Sequence, residues 1–178
     1  MPIYELDWHE SMEYSRTTTA GDGDSAAESS PSSPPPLSVM SVLMRHCLNC
    51  SGGDHDEMLW CSYSITAGSR KFLFLGDTAW FDGLEDLAEQ HSPWDVAAIP
   101  VGAYELQEFM KYNHLDIEEA VNMKDVVHAK AAVPIYWGMF PLTMEPVLEL
   151  REKLVELMGG RPNLKMFVPW LIGETKLF

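Results

Sequence analysis

The sequence predicts an α/β fold. Two observations carry this. Residues 59–75 read as strand, turn, strand, and from there to residue 168 strand and helix patterns alternate, the order of a sheet covered by helices. Apolar residues make up 46% of the 178, enough for one domain with a real core.

The elements follow in order. A leader, residues 1–15, carries Ile3, Tyr4, Leu6 and Trp8 and reads as a lone strand that needs a partner elsewhere. Residues 16–38, RTTTAGDGDSAAESSPSSPPPLS, hold one large apolar side chain, Leu37. So Ser/Pro-rich a segment cannot offset its ordering entropy by burial, and it reads as a disordered insert. Residues 39–178 form the main body. VMSVLM (39–44) is a strand. Over 59–66, Leu59, Cys61, Tyr63 and Ile65 alternate with Trp60, Ser62, Ser64 and Thr66, the period of a half-buried strand. AGSR (67–70) turns it back into KFLFL, closing a hairpin. A short helix follows at 84–90 and a buried strand, VAAIP, at 96–100. Asp116 and Glu119 have the spacing of a capping box, opening a helix with Ile117, Ala120, Val121 and Val127 on one face. AAVPIY (131–136) is the next strand. Pro146 suits the first turn of a helix striped by Val147, Leu150, Leu154 and Leu157 and stopped by Gly159 and Gly160. KMFV (165–168) closes the series.

Charge narrows the function. A net charge of −15 and a pI of about 4.6, with no basic stripe, exclude nucleic acid as partner. They also oppose attraction to anionic lipid and leave an apolar surface as the route to a membrane. Three cysteines, an odd number, point to a reducing compartment rather than a disulfide scaffold. No apolar run approaches the roughly 18 residues of a membrane-spanning helix, and MPIYELDWHE lacks the plan of a signal peptide. The expectation is an intracellular protein, cytoplasmic or peripheral on a membrane.

In α/β folds, sites form at the carboxyl ends of strands. Three predicted strand ends carry unusual residues: Gly76-Asp77-Thr78, Gly102-Ala103-Tyr104 and Tyr136-Trp137-Gly138. His46 and His114 lie at element boundaries on the same side, whereas His9, His55, His91 and His128 have less context. HCLNC (46–50) with His55 has the look of a zinc knuckle, but such sites draw ligands from two separated pairs, and no second pair follows. Cys47 and Cys50 do not open a helix, as a redox pair would. Hydrolase elbow, phosphate loop and dinucleotide fingerprint are missing from the sequence.

LFLGDTAW, DVAAIPVGAYELQEFMKYNHLDIEEAV and PIYWGMF resemble the C-terminal half of the metallo-β-lactamase-fold N-acylphosphatidylethanolamine-hydrolysing phospholipase D family. MPIYELDWHE, RHCLNCSGGDHDEMLWCSY and GETKLF are similar to further segments of it. The resemblance implies half of an αββα sandwich that, whole, holds two zinc ions and cleaves a phospholipid phosphodiester, releasing N-acylethanolamine. It implies that Asp77 bridges the metals, that His46 is a ligand, and that His114 supports Asp77 in catalysis. Tyr104, Met110 and Trp137 would line the substrate pocket, and a phospholipid or membrane surface would be the partner.

Two departures from the family pattern stand out. Its His-x-His-x-Asp-His motif does not occur in the 178 residues, and Tyr136 stands where the last histidine ligand is expected. The expectation is a truncated, catalytically impaired member, or a non-catalytic interaction or lipid-binding remnant acting through another chain. Half a sandwich leaves one apolar sheet face bare, so a homodimer, or association with another chain, is expected too. GMFPL (138–142) is a candidate for such an interface.

Overall fold

A computed structural model describes residues 3–15, 35–46, 59–138, 143–146, 149–159 and 173–175. It holds one six-stranded sheet whose spatial order is the sequence order. The strands are β1 (Ser11–Tyr14), β2 (Leu37–Leu43), β3 (Cys61–Ala67), β4 (Arg70–Phe74), β5 (Trp94–Pro100) and β6 (Ala129–Ile135). The first four pair antiparallel, while β4–β5 and β5–β6 pair parallel. The carboxyl ends of β2, β4, β5 and β6 therefore all point the same way. The helices are α1 (Leu84–His91), α2 (Gln107–Met110), α3 (Ile117–Val126) and α4 (Glu149–Gly159).

Each parallel crossover carries a helix, α1 between β4 and β5 and α3 between β5 and β6, as parallel pairing requires. Both arms of the expected capping box open α3: the Asp116 carboxylate accepts from Glu119 N at 2.8 Å and Glu119 accepts from Asp116 N at 3.0 Å. Leu150 and Leu154 of α4 are buried as the stripe predicts, while Val147 and the strand expected at 165–168 lie outside the described residues.

Registers fix which side chains share a face. The row Met40, Ser64, Leu73, Ala97, Ala132 lies under the helices, joined in one core with Leu84, Leu87, Ile117, Val121, Leu150 and Leu154. The next row, Met12, Val39, Ile65, Phe72, Val96, Ala131, faces the other way, and from Met12 to Val96 it stays only half-buried. Among the described residues no helix covers it. This inverts the simplest reading of the β3 alternation. The serines face the core: Ser62 and Ser64 are buried, Ser62 donating to the Leu75 carbonyl and Ser64 accepting the Trp94 indole N–H at 3.0 Å. Cys61, Tyr63 and Ile65 lie on the open face.

The leader does hold a strand, and its partner is β2. The strand is Ser11–Tyr14, not the apolar residues before it. Trp8 instead hooks its indole N–H onto the Trp60 carbonyl at 2.9 Å, and His9 meets His91 of α1, nitrogen to nitrogen, at 3.0 Å. Residues 16–34 of the expected insert lie outside the described residues, and β2 begins at Leu37, inside the segment read as insert. α2 was not foreseen.

Candidate functional site

The end of β4 shows why the chain carries Gly-Asp-Thr there. Gly76 has φ +65, a left-handed turn that a side chain would strain. Thr78 is fully buried, and its hydroxyl donates to the Arg45 carbonyl at 3.2 Å. Ala79 N donates to the same carbonyl at 2.8 Å. These two bonds clamp the loop after β2 to the loop after β4, and so bring His46 alongside Asp77.

Asp77 is about half-exposed, at 46% of its side chain. His114 Nδ1 lies 3.9 Å from Asp77 Oδ1, and the rings of His46 and His114 meet edge to face at 5.7 Å. His46 Nδ1 lies 3.0 Å from the Asn113 carbonyl. A carbonyl only accepts, so Nδ1 is the donor here, and Nε2 is the ring nitrogen left to face a metal. Burial pushes the His114 imidazole below its ordinary range. Asp77 and Glu145 oppose the fall and His46 adds to it.

Tyr136 closes the arrangement at the end of β6, in a left-handed conformation at φ 66. Burial, and then the charge of Asp77, push its phenol above its usual range. It stays protonated at neutral pH, and a protonated phenol is a poor metal donor. His46 and Asp77 are the two donors that the family resemblance would assign to a metal, fewer than the three protein ligands of a catalytic zinc. No group of three or more His, Cys, Asp or Glu among the described residues is placed to hold an ion. The described residues alone do not fit a catalytic metal. Cys47, Cys50 and His55 lie outside them.

The expected pocket residues divide. Tyr104 and Trp137 are partly buried against the core cluster, and Lys153 lies 5.7 Å from the Tyr104 ring centre. Met110 is half-buried, and its carbonyl accepts from both Asn113 N and His114 N at 2.8 Å, so its backbone shapes the turn that carries His114.

The sequence reading missed two features. Glu145 accepts from Ala103 N and from the Thr143 hydroxyl. It pins a loop in which Ala103 (φ 56) and Leu106 (φ 63) are left-handed without being glycine, conformations that persist only when neighbours hold them. Burial pushes the Glu145 carboxyl up, but hydrogen bonds from Thr143 and from the backbone N–H groups of Glu145, Ala103 and Glu105 outweigh it and hold it below the usual range. No sequence pattern marks this contact across 42 residues. The second feature is an exposed apolar rim: Leu106 (71% exposed), Phe109 (76%) and Tyr112 (48%) recur three residues apart. Arg45 and Lys111 lie 5.4 and 5.2 Å from the Tyr112 ring centre. FMKY in the sequence could have flagged it.

Fold and strand-end cluster together define the class. A profile of the Beta-lactamase superfamily domain matches residues 2–137, and the chain belongs to that superfamily. Within it, the chain is similar to N-acyl-phosphatidylethanolamine-hydrolyzing phospholipase D 1 of Caenorhabditis elegans, 34% identical over 97% of this chain and 45% of that protein, its C-terminal part. It is also similar to the mitochondrial N-acyl-phosphatidylethanolamine-hydrolyzing phospholipase D of Saccharomyces cerevisiae, at 29% over 70% of this chain and 27% of that protein. The chain thus spans less than half the length of either. Two solved structures share the fold. The isothiocyanate hydrolase from Delia radicum gut bacteria aligns with TM-score 0.56 and 16% identity over 80% of this chain and 54% of its own. The metallo hydrolase Igni18 of Ignicoccus hospitalis gives 0.53 and 20% over 78% and 51%. Similarity to hydrolases of this fold supports a hydrolase lineage and a divalent metal in it. No helix among the described residues is long and apolar enough to cross a membrane.

Proposed function

We propose that this chain carries one side of a phospholipase D-type phosphodiesterase site, acting on N-acylphosphatidylethanolamine-like phospholipids, and that by itself it holds lipid without turning it over. The observation that carries the reading is the joining of two things at one sheet end. His46, Asp77 and His114 form a polar cluster there, and the Leu106–Phe109–Tyr112 rim lies in the segment leading to His114. The rim suits acyl chains. Arg45 and Lys111 offer cations to a phosphate in a chain that is otherwise acidic. The metal of this reading is zinc, and Tyr136 in place of a donor accounts for the impairment. The bound lipid would be held at the membrane surface, with the chain peripheral to it.

Vesicle flotation with N-acylphosphatidylethanolamine, paired with mass spectrometry of released N-acylethanolamine, tests this. The chain should float with the vesicles, release no product above background, and lose flotation in a Phe109→Ser, Lys111→Ser variant. Flotation unchanged in that variant refutes the rim as the lipid surface, and product release at a catalytic rate refutes the impairment.

A further inference from the structure

We infer that the contact between His9 and His91 is an acid-sensitive latch: with both rings protonated it lets go, and residues 7–14 loosen from the edge of β2. The inference stands apart from the proposed lipid chemistry.

The segment docks lightly. Ser11, Glu13 and Tyr14 of β1 are exposed and Met12 is half-buried. Backbone hydrogen bonds rather than burial therefore hold it, the profile of an element that opens locally. His9 N donates to the Ser41 carbonyl at 2.8 Å, and Ser41 N donates to the Glu10 carbonyl at 2.9 Å. Among the described residues two side chains fasten the segment to the body, Trp8 on the Trp60 carbonyl and His9 on His91. His9 Nδ1 lies 3.0 Å from His91 Nε2, and the rings stack with centres 5.2 Å apart and 21° between their planes. His9 is left-handed at φ 66, a conformation that persists when neighbours hold it. The Trp60 carbonyl also accepts Met44 N at 3.2 Å, so the segment borders the strand end that leads to His46.

Proton counting makes the contact a switch. A bond between two ring nitrogens needs one N–H and one lone pair, and two neutral imidazoles supply both. A first added proton goes to the outer nitrogen of the donating ring and leaves the bond in place. A second has only the accepting nitrogen to go to. It removes the lone pair and sets two cations against each other. The surroundings resist that second proton. Lys71 of β4 donates its ammonium to the His91 carbonyl. Burial, then His9 and Lys71, push the His91 imidazole below its ordinary range. His128 faces the pair's far side through the Ser92 hydroxyl, 3.3 Å from its Nδ1. The neighbouring carboxylates are engaged elsewhere. Glu10 accepts from Asp7 N at 2.9 Å and Asp7 from Trp8 N at 2.7 Å. Asp95 accepts from Lys71 N at 2.9 Å and from the Lys130 ammonium at 2.7 Å. The docked pair thus binds fewer protons than the free rings. Docking is full above the ordinary imidazole value of about 6.5 and weakens as pH falls through it.

Amide hydrogen exchange of the full chain, read by NMR at the Ser41 N–H that the leader covers, tests this. Its protection, corrected for the intrinsic pH dependence of exchange, should fall several-fold, at most about tenfold, between pH 7 and pH 5.5, the effect of one proton. Leu75 N, bonded to the Ala98 carbonyl at 3.1 Å inside the sheet, should keep its protection. His91→Gln and His9→Asn each place an amide where the contacting ring nitrogen stood, with donor and acceptor but no charge. Either should hold Ser41 protection constant over that range, and His128→Gln should leave the wild-type fall unchanged. Wild-type protection at Ser41 that ignores pH overturns the inference. So does an equal fall at Leu75, which would mean global unfolding, or a wild-type fall that persists in both His91→Gln and His9→Asn.

Discussion

Ser64→Ala is the sharpest probe of how the sheet is oriented. The Ser64 hydroxyl accepts the Trp94 indole N–H at 3.0 Å, with Trp94 fully buried and Ser64 2% exposed. Alanine keeps the backbone and Cβ and removes only the acceptor. The indole N–H is then left unpaired in a dry core, which costs about 1–3 kcal/mol. At about 2–4 °C per kcal/mol for a chain of this length, Tm should fall by roughly 2–12 °C. A double-mutant cycle with Trp94→Phe isolates the hydrogen bond from the packing loss. Its coupling energy should be about 1 kcal/mol, since the second substitution removes a donor that already lacks its acceptor. Thermal and urea unfolding of the four proteins give all the terms. A Ser64→Ala loss under about 0.5 kcal/mol, the ordinary range for a surface change, would mean that Ser64 faces water. The assignment of the core to the helix side of β3 would then be wrong.

Two further predictions concern the site. Tyr136→His supplies a third donor beside His46 and Asp77 and should raise zinc affinity, read by competition with a chromophoric chelator; unchanged affinity would mean that residue 136 does not point at a shared metal position. Glu145 has a depressed folded-state carboxyl, so its stabilising contribution is fully present above the unfolded value near 4.3 and is lost as pH falls through the lower folded value. Glu145→Gln should therefore lower Tm at pH 7 and narrow the gap to wild type as pH falls below 4, and a gap independent of pH would show that the carboxylate's charge does not hold the 103–106 loop.

Much of the sheet could be read from local pattern. The Asp116–Glu119 box, the AGSR turn and the VAAIP run are signals contained within a few residues, and each element lies within a few residues of its expected place. The faces of β3 could not be read so. Alternation gives two faces and not which one is covered, and here the groups that decide it, the Trp94 indole and the Leu75 backbone carbonyl, lie 30 and 13 residues along the chain from the serines they meet. The leader misled because Trp8 anchors by its indole N–H rather than by strand pairing. Asp77, His46 and His114, which the structure brings near one another, were singled out by strand-end position and family resemblance. Glu145 and the Leu106–Tyr112 rim were not, since one depends on a loop folding back and the other on which aromatic side chains stay outside the core.

The central proposal is that this chain offers two metal donors, His46 and Asp77, in a cluster that Tyr136 does not complete. Zinc content per chain, by elemental analysis of protein equilibrated with micromolar zinc and desalted, tests it most directly. The account predicts well under one ion per chain, rising in Tyr136→His. One or more zinc ions held tightly by the wild-type chain would contradict it, and would mean that donors beyond these two complete the site.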